Sequence, residues 1–186
     1  PHDTGWGARI SIKLYGKWRK ARMVGFYCVT LFHIFLSVLL RQKYFADSDA
    51  VIYIVTPLGR RDANRDALLN CGFCDVVFLE NEMDEKGKSY KFENVMFYSL
   101  YCACHNYLKS LDHEKLVLVY EGITSYQLNH WSAGDSSKRF DLHEDIDEFW
   151  FPDVELLLDK EYLPKCKEFS ISINQMTQME LFEICK

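Results

Sequence analysis

The residues best suited to chemistry sit in short turns that follow apolar runs. In Tyr120-Glu121-Gly122-Ile123-Thr124-Ser125-Tyr126, an apolar stretch delivers a carboxylate and then a glycine. A carboxylate at the end of a strand can take a proton from a hydroxyl, as a general base does. Gly122 lets the backbone turn sharply and lets a ligand come close. The plainer alternative is that Glu121 caps the next turn or faces water. A second turn, Thr30-Leu31-Phe32-His33, brings a hydroxyl and an imidazole to the start of a helical pattern. The free amides of a helix N-terminus favour anions. Equally, Thr30 is a good helix cap and His33 a satisfied core histidine.

Cysteines offer a third possibility. Cys71-Gly72-Phe73-Cys74 and Cys102-Ala103-Cys104-His105 contain nitrogen and sulfur donors of the kind zinc takes. The second pair has one-residue spacing within a predicted helix, where i and i+2 face different ways, so no zinc site is expected. All seven cysteines (with Cys28, Cys166 and Cys185) make an odd number, several of them inside apolar segments. That suits reduced thiols in a cytoplasm better than a disulfide framework. No Gly-x-Gly-x-x-Gly and no complete Gly-x-x-x-x-Gly-Lys-Ser/Thr phosphate loop occurs. Asp3-Thr4-Gly5-Trp6-Gly7-Ala8 resembles the segment around the nucleophile of autophagy-type cysteine proteases, but Ala8 stands where the cysteine would be.

The elements that must position these residues follow from periodicity. Met23–Thr30 and Ala50–Thr56 read as buried strands, with a helix between them over Leu31–Phe45. A helix over Arg61–Asn70 stops at Gly72. Asp75–Leu79 is the third strand, and Glu80–Ser89 a charged loop. Phe92–Leu111 is expected as one long helix, Lys115–Tyr120 as the fourth strand, and Thr124–Ser137 as a polar loop. Ile146–Phe151 is the fifth strand, ended by Pro152, with Asp153–Tyr162 a short helix or turn. A connector after Pro164 leads to a terminal helix near Gln175–Ile184. Strands alternating with helices predict an α/β fold: a Rossmann-like parallel sheet with helices on both faces. Ligands of such sheets bind at the carboxyl ends of the strands, here Thr30–His33, Thr56–Arg61 and Glu121–Tyr126.

Met23–Leu40 carries no formal charge over eighteen residues between basic flanks, long enough for a membrane span. Against that, Gly25–Thr30 is rich in aromatic and β-branched residues, and Thr30 and His33 put polar groups mid-span. Strand plus helix is therefore expected.

The apolar fraction is 48% and the charged fraction 26%, values of a folded globular chain long enough for one domain. The net charge of −5 hides an asymmetry. Residues 1–22 carry six cations against Asp3, so the remainder stands at −10. An acidic body lacks the clustered Lys and Arg that phosphate backbones require, so no nucleic-acid partner is expected. The basic leader, native or foreign, permits a peripheral membrane contact.

Phe26-Tyr27-Cys28-Val29-Thr30-Leu31-Phe32-His33 resembles the first strand and turn of bacterial glycosyltransferase family 52 and the related capsule polysialyltransferases, where a Thr-Pro-Tyr/Phe-His-like turn opens the first helix. Ala50–Thr56 is similar to their second strand, and Tyr120-Glu121-Gly122 to their acidic-acidic-Gly motif. Asp147-Glu148-Phe149-Trp150-Phe151-Pro152-Asp153 is similar to the apolar strand and Pro-acidic pair that follow. The likeness runs over residues 23–184. It implies one half of a GT-B fold: residues 23–170 as the acceptor-side domain, and 171–186 as a connector and helix toward a C-terminal nucleotide-binding domain. It implies inverting transfer of sialic acid from CMP-sialic acid to a glycan acceptor, such as a surface polysaccharide or lipo-oligosaccharide, with no metal and no other cofactor. Glu121 would be the general base, and Thr30, His33, Gly122, Ser125 and Tyr126 the acceptor-binding residues. The cysteine usage and the basic leader are expected to give a cytoplasmic location that permits a peripheral contact with the inner membrane, and a homo-oligomer is admitted. Tyr120 replaces the first acid and Leu31 the proline, and the donor-phosphate His-Pro is absent from the chain. This polypeptide alone is thus expected not to catalyse transfer. The alternatives are a non-catalytic glycan- or nucleotide-binding module of the same fold, and a membrane-anchored protein spanning at 23–40.

Overall fold

Aromatic and β-branched residues flanked by turn formers build the strands. A computed structural model of the chain describes residues 23–55, 63–80, 88–99, 105–120, 122, 126–128, 141–172 and 175–184. Strand β1 (Met23–Cys28) runs into helix α1 (Leu31–Tyr44), and β2 (Asp49–Val55) follows. Helix α2 (Arg65–Asn70) leads to β3 (Asp75–Leu79). Then come β4 (Lys91–Phe97), helix α3 (His105–Ser110), β5 (Asp112–Val119) and β6 (Glu148–Phe151). Two 3-10 turns, Val154–Leu156 and Lys160–Lys165, precede β7 (Cys166–Glu168), and α4 (Gln175–Ile184) closes the described chain.

The strands form a single seven-stranded sheet in the order β3-β2-β1-β4-β5-β6-β7. Every pairing is parallel. The expected α/β architecture is therefore present. β1 lies between β2 and β4, so the chain grows outward in both directions from it. That is the switch point at which open α/β sheets leave a crevice for ligands.

Each face of the sheet has its own apolar layer, because parallel strands must be covered on both sides. On one face, Phe26, Ile52 and Val119 pack with Ile34 and Leu40 of α1, Leu68 of α2 and Ile184 of α4. On the other, Tyr27, Tyr53 and Phe149 pack with Tyr107 and Leu108 of α3 and with Tyr162. Helices thus cover both faces, as expected. Fully buried side chains such as Phe26 and Ile52 each contribute about 1.5–3 kcal/mol through removal from water.

The segment long enough for a membrane span divides as predicted. Its first part is the central strand of the sheet and its second part is α1, packed on that sheet. Among the described residues no helix is long and apolar enough to cross a membrane.

Three expectations are corrected. Phe92–Leu111 is not one helix: its first part is β4, and among the described residues of the span only His105–Ser110 is helical. Phe92, Val95 and Met96 imitate helical spacing, but a short run buried on both faces is equally a strand. The slot between β1 and β5 settles the matter, because there the backbone pairs on both sides. Secondly, the sheet has seven strands rather than five. The other addition, β7, exposes Lys167 and Glu168 and has no apolar run to announce it. Thirdly, α2 begins at Arg65 rather than Arg61 (residues 56–62 lie outside the described residues). Asn64 caps α2, its Oδ1 accepting from Asp66 N at 3.0 Å and Ala67 N at 3.2 Å. Gly72 stops the helix as predicted, at φ +94°, where a side chain would be strained.

Glu148 ties the β5-β6-β7 edge together. Its Oε1 accepts from Lys115 Nζ at 2.5 Å. Its Oε2 accepts from Lys167 Nζ at 2.6 Å and from Trp150 Nε1 at 3.2 Å. Burial pushes this carboxyl up, but the bonds from Lys115, Lys167 and Trp150 outweigh it and hold the pKa at about 2.

Candidate functional site at the carboxyl edge of the sheet

At the end of β1 the chain turns through Val29 and Thr30 into α1. Thr30 has extended backbone (φ −136°, ψ 163°) and its Oγ1 accepts from His33 N at 3.2 Å. It is an exposed N-cap, one of the two roles its type suggested. His33 is 2% exposed. Its Nδ1 accepts from Val29 N at 3.2 Å. An amide nitrogen can only donate, so the ring proton of the neutral imidazole sits on Nε2. The ring stacks on Tyr98, which follows β4, at 4.9 Å between centroids and 23° between planes.

Ser37, one turn further along α1, completes a buried network. Its hydroxyl donates to His33 O at 2.8 Å. Its single proton being used there, Tyr98 Oη at 2.5 Å and Cys28 Sγ at 3.1 Å must both donate into its lone pairs. Burial pushes the Cys28 thiol up to about 12, only partly offset by the bond to Ser37. Burial likewise raises Tyr98 well above the ordinary phenol range, followed by the neighbouring Cys28. Both donors therefore stay neutral, and Cys28 is not a nucleophile. The network bridges β1, α1 and the end of β4 at the switch point.

The turn after β5 holds the other predicted residues. Tyr120 N donates to Trp150 O at 2.8 Å, which ends β5 against β6. Among the described residues, a side chain grafted onto Gly122 would meet nothing within 4 Å, so these leave space beside it. Glu121 and Ser125 lie outside the described residues. Tyr126 is 6% exposed and stacks on Phe151 at 5.2 Å, belonging to the α3-side core. The structure thus joins Thr30 and His33 by hydrogen bond, leaves Gly122 beside open space, and packs Tyr126 into the interior. Tyr98 and Ser37 were missed by sequence reasoning. Ser37 stands four residues after His33 in an otherwise apolar helix face, a signal that could have found it. Tyr98 was hidden inside the misassigned helix.

Beside this network lies a groove of about 560 Å³. Phe32, Phe35 and Leu36 of α1 form one wall, Tyr120 and Pro152 the strand-end side, and Leu181 of α4 the far side. Among the described residues none of its lining is charged.

The cysteine spacing builds nothing in the region described. Cys71 is buried; Cys74 is exposed, its Sγ donating to Ala50 O at 3.1 Å. Burial raises both thiols, Cys71 to about 11. Cys102 and Cys104 lie outside the described residues. Among the described residues no group of three or more His, Cys, Asp or Glu is placed to hold a metal ion.

No protein-family pattern matches the chain, and no curated protein is significantly similar to it in sequence. Its fold does match a solved structure, described as the crystal structure of a sialyltransferase from Photobacterium damsela, with a TM-score of 0.52 at 12% identity. The match covers 88% of this chain and 47% of the other, so the chain spans about half the length of that structure. At that identity the likeness concerns the fold: this chain has the Rossmann-like parallel α/β sheet that a sialyltransferase also contains.

Proposed function

We propose that the chain is the acceptor-side domain of a sialyltransferase-like glycosyltransferase, acting on CMP-sialic acid and a glycan acceptor together with a nucleotide-binding domain. The observation that carries this is the sheet itself. Its fold matches a solved sialyltransferase over 88% of this chain at a TM-score of 0.52, and its switch point falls where Thr30 and His33 stand. In this reading Glu121, two residues after β5 in the sequence, takes the proton of the attacking hydroxyl as general base. Thr30 and the open space at Gly122 face the acceptor. His33, fixed in one tautomer by Val29 N, shapes the crevice from beneath.

The test is CMP release from CMP-sialic acid in the presence of lipo-oligosaccharide or a sialylated acceptor. It is run with this chain alone and with a longer polypeptide extended by about 150–200 residues, a typical domain's worth. Release by the longer form only, lost in Glu121→Gln, supports the half-enzyme. Release by neither form removes Glu121 as the base for this reaction. Glycan binding that survives Glu121→Gln, with no transfer, would instead favour a binding module, a reading that Tyr120 in place of an acid also suits.

A further inference from the structure

We propose that the groove beside α1 is a binding site for a hydrocarbon chain, a ligand class that the glycan reading does not require. Four observations converge on it. The groove measures about 560 Å³, within the span of small-molecule sites. Among the described residues ten line it, none charged, with Phe32, Phe35, Leu36 and Leu39 supplying one continuous wall at helical spacing. Hydrocarbon gains from such a wall by leaving water, whereas a sugar or nucleotide would leave its hydroxyls or phosphates unpaired there. Its position is the carboxyl edge of the sheet, where Tyr120 and Pro152 follow β5 and β6, so it opens beside the crevice in which ligands of this fold bind.

The size of the groove argues against the other occupants an apolar surface can have. A stable dimer buries about 20–30 residues a side. The described lining residues form a concavity of about 560 Å³, a shape that suits a slender chain rather than a broad contact of that kind. Phe32, 52% exposed at the α1 N-terminal end, flanks the mouth. A ligand with a polar head could leave that head near Thr30 while its chain lies along α1 toward Leu39.

The probes are two neutral series, 1-alkanols and alkyl β-glucosides with butyl, hexyl and octyl chains, kept below their micelle-forming concentrations and titrated into the 186-residue chain. Affinity is expected to rise about three- to fourfold for each methylene that enters the groove. Ile171→Trp, which fills the groove from the segment after β7, should flatten that rise. Leu39→Trp fills it from α1 and serves as the second variant if the first does not fold. Methyl NMR on the unmodified chain should confine the octanol-induced shifts to Leu36, Leu39, Ile171 and Leu181. A rise in both series supports a chain site open to free and head-bearing lipids alike. A rise in the glucosides alone supports one that needs a head in the crevice. A rise in the alkanols alone keeps the hydrocarbon site while counting against a glycan head beside it, so the two readings fail separately. No rise with chain length, or shifts away from the groove, overturns the proposal. So does a concentration-dependent dimer that Ile171→Trp abolishes, since a second copy would then be the occupant.

Discussion

Around the carboxyl end of β1, polar atoms are shut away from water and matched one to one: Ser37 uses its single proton on His33 O and receives Tyr98 and Cys28. A short way along the same helix, the groove has almost no polar group and stands open beside Phe32. Helix α1 makes both. His33 and Ser37 form one stripe at i and i+4, and Phe32, Leu36 and Leu39 form the next. The contrast teaches that one helix can hold a closed, specific polar joint and an open, tolerant apolar surface side by side. A buried hydroxyl that loses a partner costs its full desolvation, whereas a groove wall that changes shape loses only some contact.

The largest effect should come from breaking the polar joint at its widest member. Tyr98→Ala removes the ring stacked on His33 and leaves a cavity, and should cost about 3–5 kcal/mol in urea unfolding. Ser37→Ala leaves the Tyr98 hydroxyl and the Cys28 thiol without their acceptor and should cost about 1–3 kcal/mol. Tyr98→Phe in the Ser37→Ala background should then add little, because both members of the pair are gone. If the two changes instead add in full, the joint is not the coupled unit described.

Away from both regions, Glu148 supplies an electrostatic control. Its carboxyl lies below its unfolded value, so its contribution is present above about pH 4.5 and fades as pH falls toward about 2. Lys115 and Lys167 are about half exposed, so screening reduces the loss in Glu148→Gln to about 1–2 kcal/mol at neutral pH. Thermal melts across acid pH should show the wild type and variant converging near pH 2. The smallest effect is expected at the groove mouth. Phe32→Ala should change stability by less than about 0.5–1 kcal/mol, since its ring is half in water already. A larger loss there would mean that the groove is a packed core region rather than a site.

Much of this organisation was legible beforehand. Strands β1, β2, β3, β5 and β6 and helix α1 announce themselves through apolar runs, the first strand ended by Thr30 and β6 by Pro152, and Gly72 marks the stop of α2. Thr30 was legible as a cap because its hydroxyl stands three residues before the amide it accepts from. The strand β4 was not, because Phe92, Val95 and Met96 fit either period and only the partners β1 and β5 choose between them. The strand β7 was not, because an edge strand of three residues needs no apolar signature.

By itself the sequence determined the class of fold, a hydroxyl at Thr30 that can cap α1, an imidazole at His33, and the absence of a full dinucleotide or phosphate-loop fingerprint. These depend on residues near one another in the chain, where a local hydrogen bond or a period decides the outcome. The tertiary structure alone decided that Tyr98, sixty-one residues from Ser37, closes the joint, and that α1, α4 and the ends of β5 and β6 enclose a groove. Such contacts depend on the order in which strands join the sheet, and that order is set by burial of the whole layer rather than by any one segment.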